Sequence, residues 1–326
     1  MPIRAAGGSG VREAYVPEIY SPVLKERLRD NCVLEQLTNK EFTGKFRNKG
    51  DTIVIRKTPA IKRRRYVRGV PLVYQDPSVG EETHTIGRSD YWAFIVNDIE
   101  KMLSDIPAFA AKWTREGALS MAEGREIEFF NFIPSVTDLA YRNKGNHAGI
   151  RTGFYELGEA LDPIHVFATE AAATASTVTG KKNTMIDLIS QADAALAEHK
   201  GAKGLRPWMV LPPWVKRLIN TSELANASFS GDAQTCLRKT CVSIGNLAGF
   251  DLYTSNLLPV VQDGSGKFTF TIPFGDESGI TYADEISSTK MGTSETQPAD
   301  WHRSVGVYDF FARQKERFGY MQVAKV

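Results

Sequence analysis

Lys62-Arg63-Arg64-Arg65-Tyr66-Val67-Arg68 puts five cations and an aromatic ring within seven residues. Such a run can neutralise nucleic-acid phosphates while Tyr66 stacks on a base; it can equally meet an acidic protein surface, or stand solvated. The charge around it is lopsided. Lys45 to Arg68 carries ten Lys/Arg against one acid, Asp51, and Gly69 to Glu100 carries six acids against one base, Arg88. If the two stretches fold back on each other, Asp76, Glu81 and Glu82 come close to the cations, and cross-strand pairing weakens the field that a phosphate would feel. Protein contact is therefore favoured over nucleic acid. The candidate contact residues are Lys62, Arg63, Arg64, Arg65, Arg68, Glu81 and Glu82.

Nothing else in the chain invites chemistry. A GxxxxGK[ST] phosphate loop, GxGxxG after a strand, HExxH and GxSxG are all missing. His84, His147, His165, His199 and His302 are scattered with no i,i+4 pair to grip a metal. Cys32, Cys236 and Cys241 lack CxxC spacing, and the latter two lie in a segment of helical character as expected small buried hydrophobes. The expectation is a protein with no catalytic residue, no metal and no cofactor, and not an enzyme.

The 326 residues are 42% hydrophobic and 24% charged with a net charge of +2, enough apolar material for a real core in one large domain or two modest ones. No apolar run approaches the roughly 20 residues a membrane helix needs. Met1 to Arg12 has no stretch suited to a signal peptide, so the protein is expected to stay or assemble in the cytoplasm.

The cations need an element to carry them. Thr52-Ile53-Val54-Ile55-Arg56 follows the turn signal Lys49-Gly50-Asp51, and Tyr91 to Val96 is β-rich. Between them lie residues poor in large apolar groups and broken by Pro59, Gly69, Pro71, Pro77, Gly80 and Gly87. An antiparallel hairpin with arms of about 20 residues would reach about 60 Å at strand rise. It cannot bury itself on its own domain, so it must lie on something else, and a neighbouring copy is the simplest candidate.

Around it, residues 17–37 read as a first helix behind a loose N-terminal arm. A longer helix starts near Ser104 or Asp105, with Pro107 in its first turn, and ends near Pro134. Gly117 and Gly124 on it suggest close packing against another backbone. The run Ala171 to Thr177 reads as an exposed loop, and Asn183 as the cap of a helix to about His199. Strand 207–212, helix 214–219, helix 234–244 and strand 250–254 follow, giving α+β character. Strands near 267–272, 305–308 and 320–323 complete the chain.

In order and spacing these elements resemble the major capsid proteins of tailed double-stranded DNA bacteriophages, the Hong Kong ninety-seven fold. Lys49-Gly50-Asp51-Thr52-Ile53-Val54-Ile55 resembles the strand that launches that family's extended loop, and Tyr91 to Ile99 the strand and turn before its spine helix. Arg206-Pro207-Trp208-Met209-Val210-Leu211-Pro212-Pro213 is similar to its R-x-x-V-x-P-P strand. Gly245 to Phe250 leading to Ser255-Asn256-x-Leu258-Pro259 resembles its return, and Gly279 to Ile286 with Val305-Gly306-Val307-Tyr308 its C-terminal block. The family's Tyr-Gly reads Tyr308-Asp309 here, and a further strand follows.

The resemblance implies an N-terminal arm and helix at 1–49, an extended loop (E-loop) at 50–97 and a P-domain with the spine helix at 98–160. A central α+β A-domain at 161–300 and a C-terminal β return to the P-domain at 301–326 complete it. It also implies self-assembly into hexamers and pentamers of an icosahedral head shell enclosing the genome, with the E-loop laid over the adjacent subunit. Expected partners are other copies, a separate scaffolding protein and a portal, a decoration protein where one is present, and packaged DNA by weak non-specific contact, with no membrane. The expected location is the virion capsid, assembled in the host bacterial cytoplasm. Two alternatives stay open: an encapsulin-like nanocompartment shell, and a nucleic-acid-binding protein using residues 45–68.

Overall fold

Trp208-Met209-Val210-Leu211 is apolar at every position and buried at every position, the pattern of a strand covered on both faces. Met209 and Leu211 face one core, and Trp208 and Val210 face another. The molecule is built outward from that strand. The computed structural model describes residues 32–43, 50–59, 61–69, 71–76, 79–97, 109–136, 155, 157–159, 162–198, 207–222, 243–262, 267–294 and 298–325.

In chain order the described strands are β1 (Thr52–Lys57), β2 (Gly80–Thr85), β3 (Arg88–Asn97), β4 (Ile164–Phe167), β5 (Lys182–Thr184), β6 (Trp208–Leu211) and β7 (Ser243–Leu247). They continue with β8 (Phe250–Thr254), β9 (Val260–Gln262), β10 (Phe268–Gly275), β11 (Ile280–Thr293), β12 (Ala299–Ala312) and β13 (Phe318–Ala324). The helices are α1 (Leu34–Leu37), α2 (Phe109–Val136), α3 (Glu170–Ala175), α4 (Met185–Glu198) and α5 (Pro213–Asn220). An eight-stranded mixed sheet runs β5-β4-β13-β10-β6-β8-β7 with β9 added on β10, a three-stranded antiparallel sheet runs β11-β12-β3, and β1 pairs with β2. The architecture is α+β, as expected.

Helices α4 and α5 cover one face of the large sheet. Leu188, Ile189, Ala192, Leu196, Val215 and Ile219 pack there on Met209, Leu211, Phe250, Phe274 and Val323. Helix α2, 28 residues and about 42 Å long, drives its C-terminal half into the second core. There Phe129, Phe130 and Ile133 meet Trp208, Val210, Tyr282, Tyr308, Phe310 and Tyr320, with Val33, Leu34 and Leu37 of the N-terminal segment alongside. The N-terminal half of α2 is more open, with Trp113 and Leu119 exposed.

Pairing runs across the expected division at residue 300. β11, before it, pairs along its length with β12, and β13, after it, pairs with β10 and β4 of the large sheet.

Several elements differ from expectation for identifiable reasons. The alanine run expected as an exposed loop is helix α3, because alanine is the best helix former and Thr169 caps it, its Oγ1 accepting from the Ala172 amide at 3.2 Å. The cap of α4 falls one residue later than Asn183, with Thr184 Oγ1 accepting from the Asp187 amide at 3.3 Å. Residues 243 and 244, expected to end a helix, belong to strand β7 paired with β8. Helix α2 passes Pro134 by two residues, and the Ser135 hydroxyl donates to the Phe132 carbonyl at 2.7 Å in that last turn. Of the expected first helix only residues 32–37 are described, with 34–37 forming α1, and Ser104, Asp105, Pro107, Cys236 and Cys241 lie outside the described residues.

Candidate assembly interface

The hairpin exists, and its ladder is short. β1 and β2 pair antiparallel over six residue pairs, Thr52 with Thr85 through Lys57 with Gly80. Beyond Lys57 and Gly80 the arms run on without a ladder. One clasp joins them: the Gln75 side-chain amide accepts from the Lys62 amide at 3.1 Å and donates to the Lys62 carbonyl at 2.7 Å.

The expected pairing of the basic cluster with the returning acids does not form. Glu81 pairs with Arg56 at 3.3 Å, and Glu82 lies 3.8 Å from His84 on its own strand. Among the described residues, Lys62, Arg63, Arg64, Arg65 and Arg68 form no ion pair and are exposed. The reason is register. Six pairs of ladder bring Glu81 and Glu82 opposite Arg56 and Ile55, well short of the cluster. Ile61, Tyr66, Val67, Leu72, Val73 and Tyr74 stand in solvent beside these charges, Tyr74 at 87% exposure. Scattered exposed apolar residues need no explanation, but a row of them on one projecting element marks a surface meant to be covered.

The root of the hairpin, by contrast, is fixed. Ile86 is buried against Ala283, Val307 and Phe311, with Ile53, Ile55 and Phe42 packed around them. His84 stacks on Phe311 at 5.0 Å. Asp309 Oδ2 accepts from the Gly87 amide at 2.7 Å, and its other oxygen lies 3.4 Å from Arg88 Nε. Arg88 also donates to Glu128 of α2 at 2.6 Å. Thus Asp309, the residue that departs from the resembled family block, secures the point where the hairpin leaves the body. This root packs on the face of the three-stranded sheet opposite α2.

Helix α2 is locked to the other face by Arg125. Its Nε and Nη2 donate to the two oxygens of Asp90 at 2.7 and 2.8 Å, its Nη1 donates to the Tyr282 hydroxyl at 3.0 Å, and the guanidinium lies 4.6 Å over the Tyr308 ring. Burial works against the charge, but the hydrogen bonds and proximity to Asp90 and Tyr282 outweigh it, so the Arg125 pKa rises above its ordinary value. Gly306 makes room, since a Cβ there would collide with the guanidinium. Gly117 serves likewise: it lies against the Trp92 ring rather than the backbone expected, whereas Gly124 faces open space.

The next residue, about 100° further round the helix, is Glu126, which joins three segments. Its buried carboxylate accepts from the Val33 and Leu34 amides at 2.6 and 3.2 Å and from the Ser255 hydroxyl at 2.9 Å. Burial raises its pKa above the usual carboxylate value, and the hydrogen bonds from Val33, Ser255 and Leu34 pull the other way without cancelling the rise. The folded chain therefore holds that proton more tightly than the unfolded chain. Stability from this group falls as pH climbs from the ordinary carboxylate value through the raised one, then levels off. Glu126→Gln can keep all three partners and is expected to flatten this part of the profile. Glu126→Leu strands two amides and a hydroxyl and is expected to cost about 2–4 kcal/mol. Urea titrations of both variants across pH 4 to 8 measure both effects (roughly the range in which a raised carboxylate titrates).

Among the described residues there is no group of three or more His, Cys, Asp or Glu side chains that could hold a metal, and no helix is long and apolar enough to cross a membrane. No family model matches the chain, and no curated protein sequence is similar to it. Solved structures are similar. A chain from Mycobacterium phage Che8 shares 18% identity at a TM-score of 0.65, with 95% of this chain and 97% of that one covered. The mature capsid of bacteriophage PhiM1 shares 12% at 0.62, covering 94% and 92%, and the capsid of cyanophage P-SCSP1u 11% at 0.64, covering 98% and 95%. The chain has the fold of these phage capsid chains.

Proposed function

We propose that the chain is the major capsid protein of a tailed double-stranded DNA bacteriophage, a subunit that assembles with its own copies into the icosahedral shell around the genome. The observation that carries this is likeness over nearly the full length of both chains, including two capsids, 94% to 98% of this one and 92% to 97% of theirs. The projecting hairpin gives it a physical reason: apolar and cationic residues stand side by side where their own chain cannot cover them.

On this reading residues 50–97 are the E-loop, laid over the adjacent subunit in hexamers and pentamers. Helix α2 is the spine of the P-domain (98–160), the strands of the large sheet other than β13 belong to the A-domain (161–300), and 301–326 is the β return, whose β13 completes the large sheet. Lys62, Arg63, Arg64, Arg65 and Arg68 meet acidic surface on a neighbour and set register more than raw affinity. Glu81 and Glu82, nearer the root, complete the contact. A scaffolding protein and a portal act during assembly in the host cytoplasm, a decoration protein joins where the phage has one, and packaged DNA touches the inner wall weakly. The protein works by interface geometry and does no catalysis.

Electron microscopy of the purified chain, with and without DNA and a co-expressed scaffold, tests this. Closed shells are expected. Dispersed subunits that bind DNA with a steep salt dependence would overturn it in favour of a nucleic-acid-binding protein. Shells formed alone around a protein cargo would mark an encapsulin-like compartment instead.

A further inference from the structure

The three-stranded sheet has one face under α2 and another that, among the described residues, nothing covers beyond the hairpin root. On that open face Tyr91, Ala93 and Ile95 of β3 lie beside Trp301 and Arg303 of β12, in the register Ala93 with Arg303 and Ile95 with Trp301. Tyr91 is 74% and Ile95 51% exposed. The Trp301 indole lies across Gly292 of β11, where a Cβ would run into the ring, and the Arg303 guanidinium lies 4.7 Å over that ring. A shallow depression opens here, lined by Ala93, Phe94, Ile95, Trp301, His302 and Arg303.

We propose that this depression receives Tyr74 from the hairpin of a second copy. The inference rests on the shell reading and adds the acceptor to it. Three observations select this occupant. The hairpin root leaves its own body on this same sheet face, with Ile86, Val307 and Phe311 packed together there. In a closed layer of copies related by rotations about axes normal to it, every copy turns the same face the same way, so a neighbour's hairpin arrives at this face and not at α2. Charge then chooses the arm. Arg303 lines the depression and Lys290 stands opposite it in the ladder, repelling the arm that holds Lys62 to Arg68 and accepting the returning arm, where Asp76 follows Tyr74 by two residues. Finally, Tyr74 is the most exposed of the large apolar side chains described, and its ring suits a site offering an indole, an aliphatic floor and a guanidinium.

Cysteine pairing tests the register directly. With Cys32, Cys236 and Cys241 changed to alanine, a chain carrying Tyr74→Cys and Ala93→Cys is assembled and oxidised. Particles are expected to give a ladder of disulfide-linked subunits on a non-reducing gel, and either single-cysteine chain none. Ala93→Trp, which fills the depression, is expected to leave the subunit's melting curve unchanged while particle yield falls at least tenfold. Tyr74→Phe is expected to assemble and Tyr74→Ala to lose yield to a similar degree. Normal particles from Ala93→Trp, or intact particles that never cross-link, overturn this inference and leave the shell reading standing. A parent chain that forms no shells under any condition overturns both.

Discussion

Exchanging Arg63, Arg64 and Arg65 for glutamate yields a chain that folds normally and builds no shells. The fold is expected to be spared because none of these side chains is ion-paired to a described residue, and all three are exposed on arms that have left the ladder. On the shell reading, assembly is expected to be lost because three attractions per copy become three repulsions. A single exposed ion pair is worth only about 0–1 kcal/mol, yet each interface carries several, and a shell repeats the interface in every copy. Like charges pressed together cost more than the attraction they replace. Sedimentation and electron microscopy would show free subunits whose circular dichroism and melting match the parent. The lysine triple variant, which keeps the charge, should still form particles. Normal particles from the glutamate variant would remove the cluster from the interface altogether.

Arg125→Met is expected to lower the unfolding free energy of the subunit by about 3 kcal/mol, because it leaves Asp90 charged and largely enclosed without its bidentate partner. The loss is not one hydrogen bond but a whole knot, since Tyr282 and the Tyr308 ring lose the guanidinium as well. Arg125→Lys should recover little of it, a point charge being unable to reach both Asp90 oxygens and the Tyr282 hydroxyl together. Removing both partners, as Arg125→Met with Asp90→Leu, should restore most of the stability, as replacing a buried pair with apolar groups commonly does. Urea unfolding of the parent, Arg125→Met, Asp90→Leu and the double variant forms a double-mutant cycle. A single-variant loss under about 1 kcal/mol would mean that the pair barely repays its desolvation.

The hairpin could be read from the chain because composition alone denies it a core: prolines, glycines and charges between two β-rich stretches have nowhere to be buried. Its cations were legible for the same reason. Their partners were not, because register is set by where the ladder stops, and no residue type between Lys57 and Gly80 announces that six pairs form and then no more. Arg125 and Glu126 look like ordinary helix charges in sequence. Their roles depend on Asp90, Tyr282 and Tyr308 from three different strands, and on Val33, Leu34 and Ser255 from two distant segments. The alanine run misled for a local reason, small residues being common to flexible loops and to good helices, with Thr169 the one cue that separates them. β6 was the clearest signal of all, since four apolar residues in a row between prolines fit a strand buried on both sides.

The C-terminal part of the chain crosses between the large sheet and the three-stranded sheet at two neighbouring places, Gly275 to Ile280 and Ala312 to Phe318, where Arg317 donates to Asp276 at 2.8 Å. The large sheet consequently waits for β13 to find β4 across a wide stretch of sequence, Val323 pairing with Ile164. Pairings so distant are slow to form. The sheet that carries the hairpin root has a pairing just as distant, β12 with β3, Ala299 opposite Asn97. On the shell reading, the surface offered to other copies is therefore expected to be completed late in folding, which keeps a newly made chain from joining its neighbours too early.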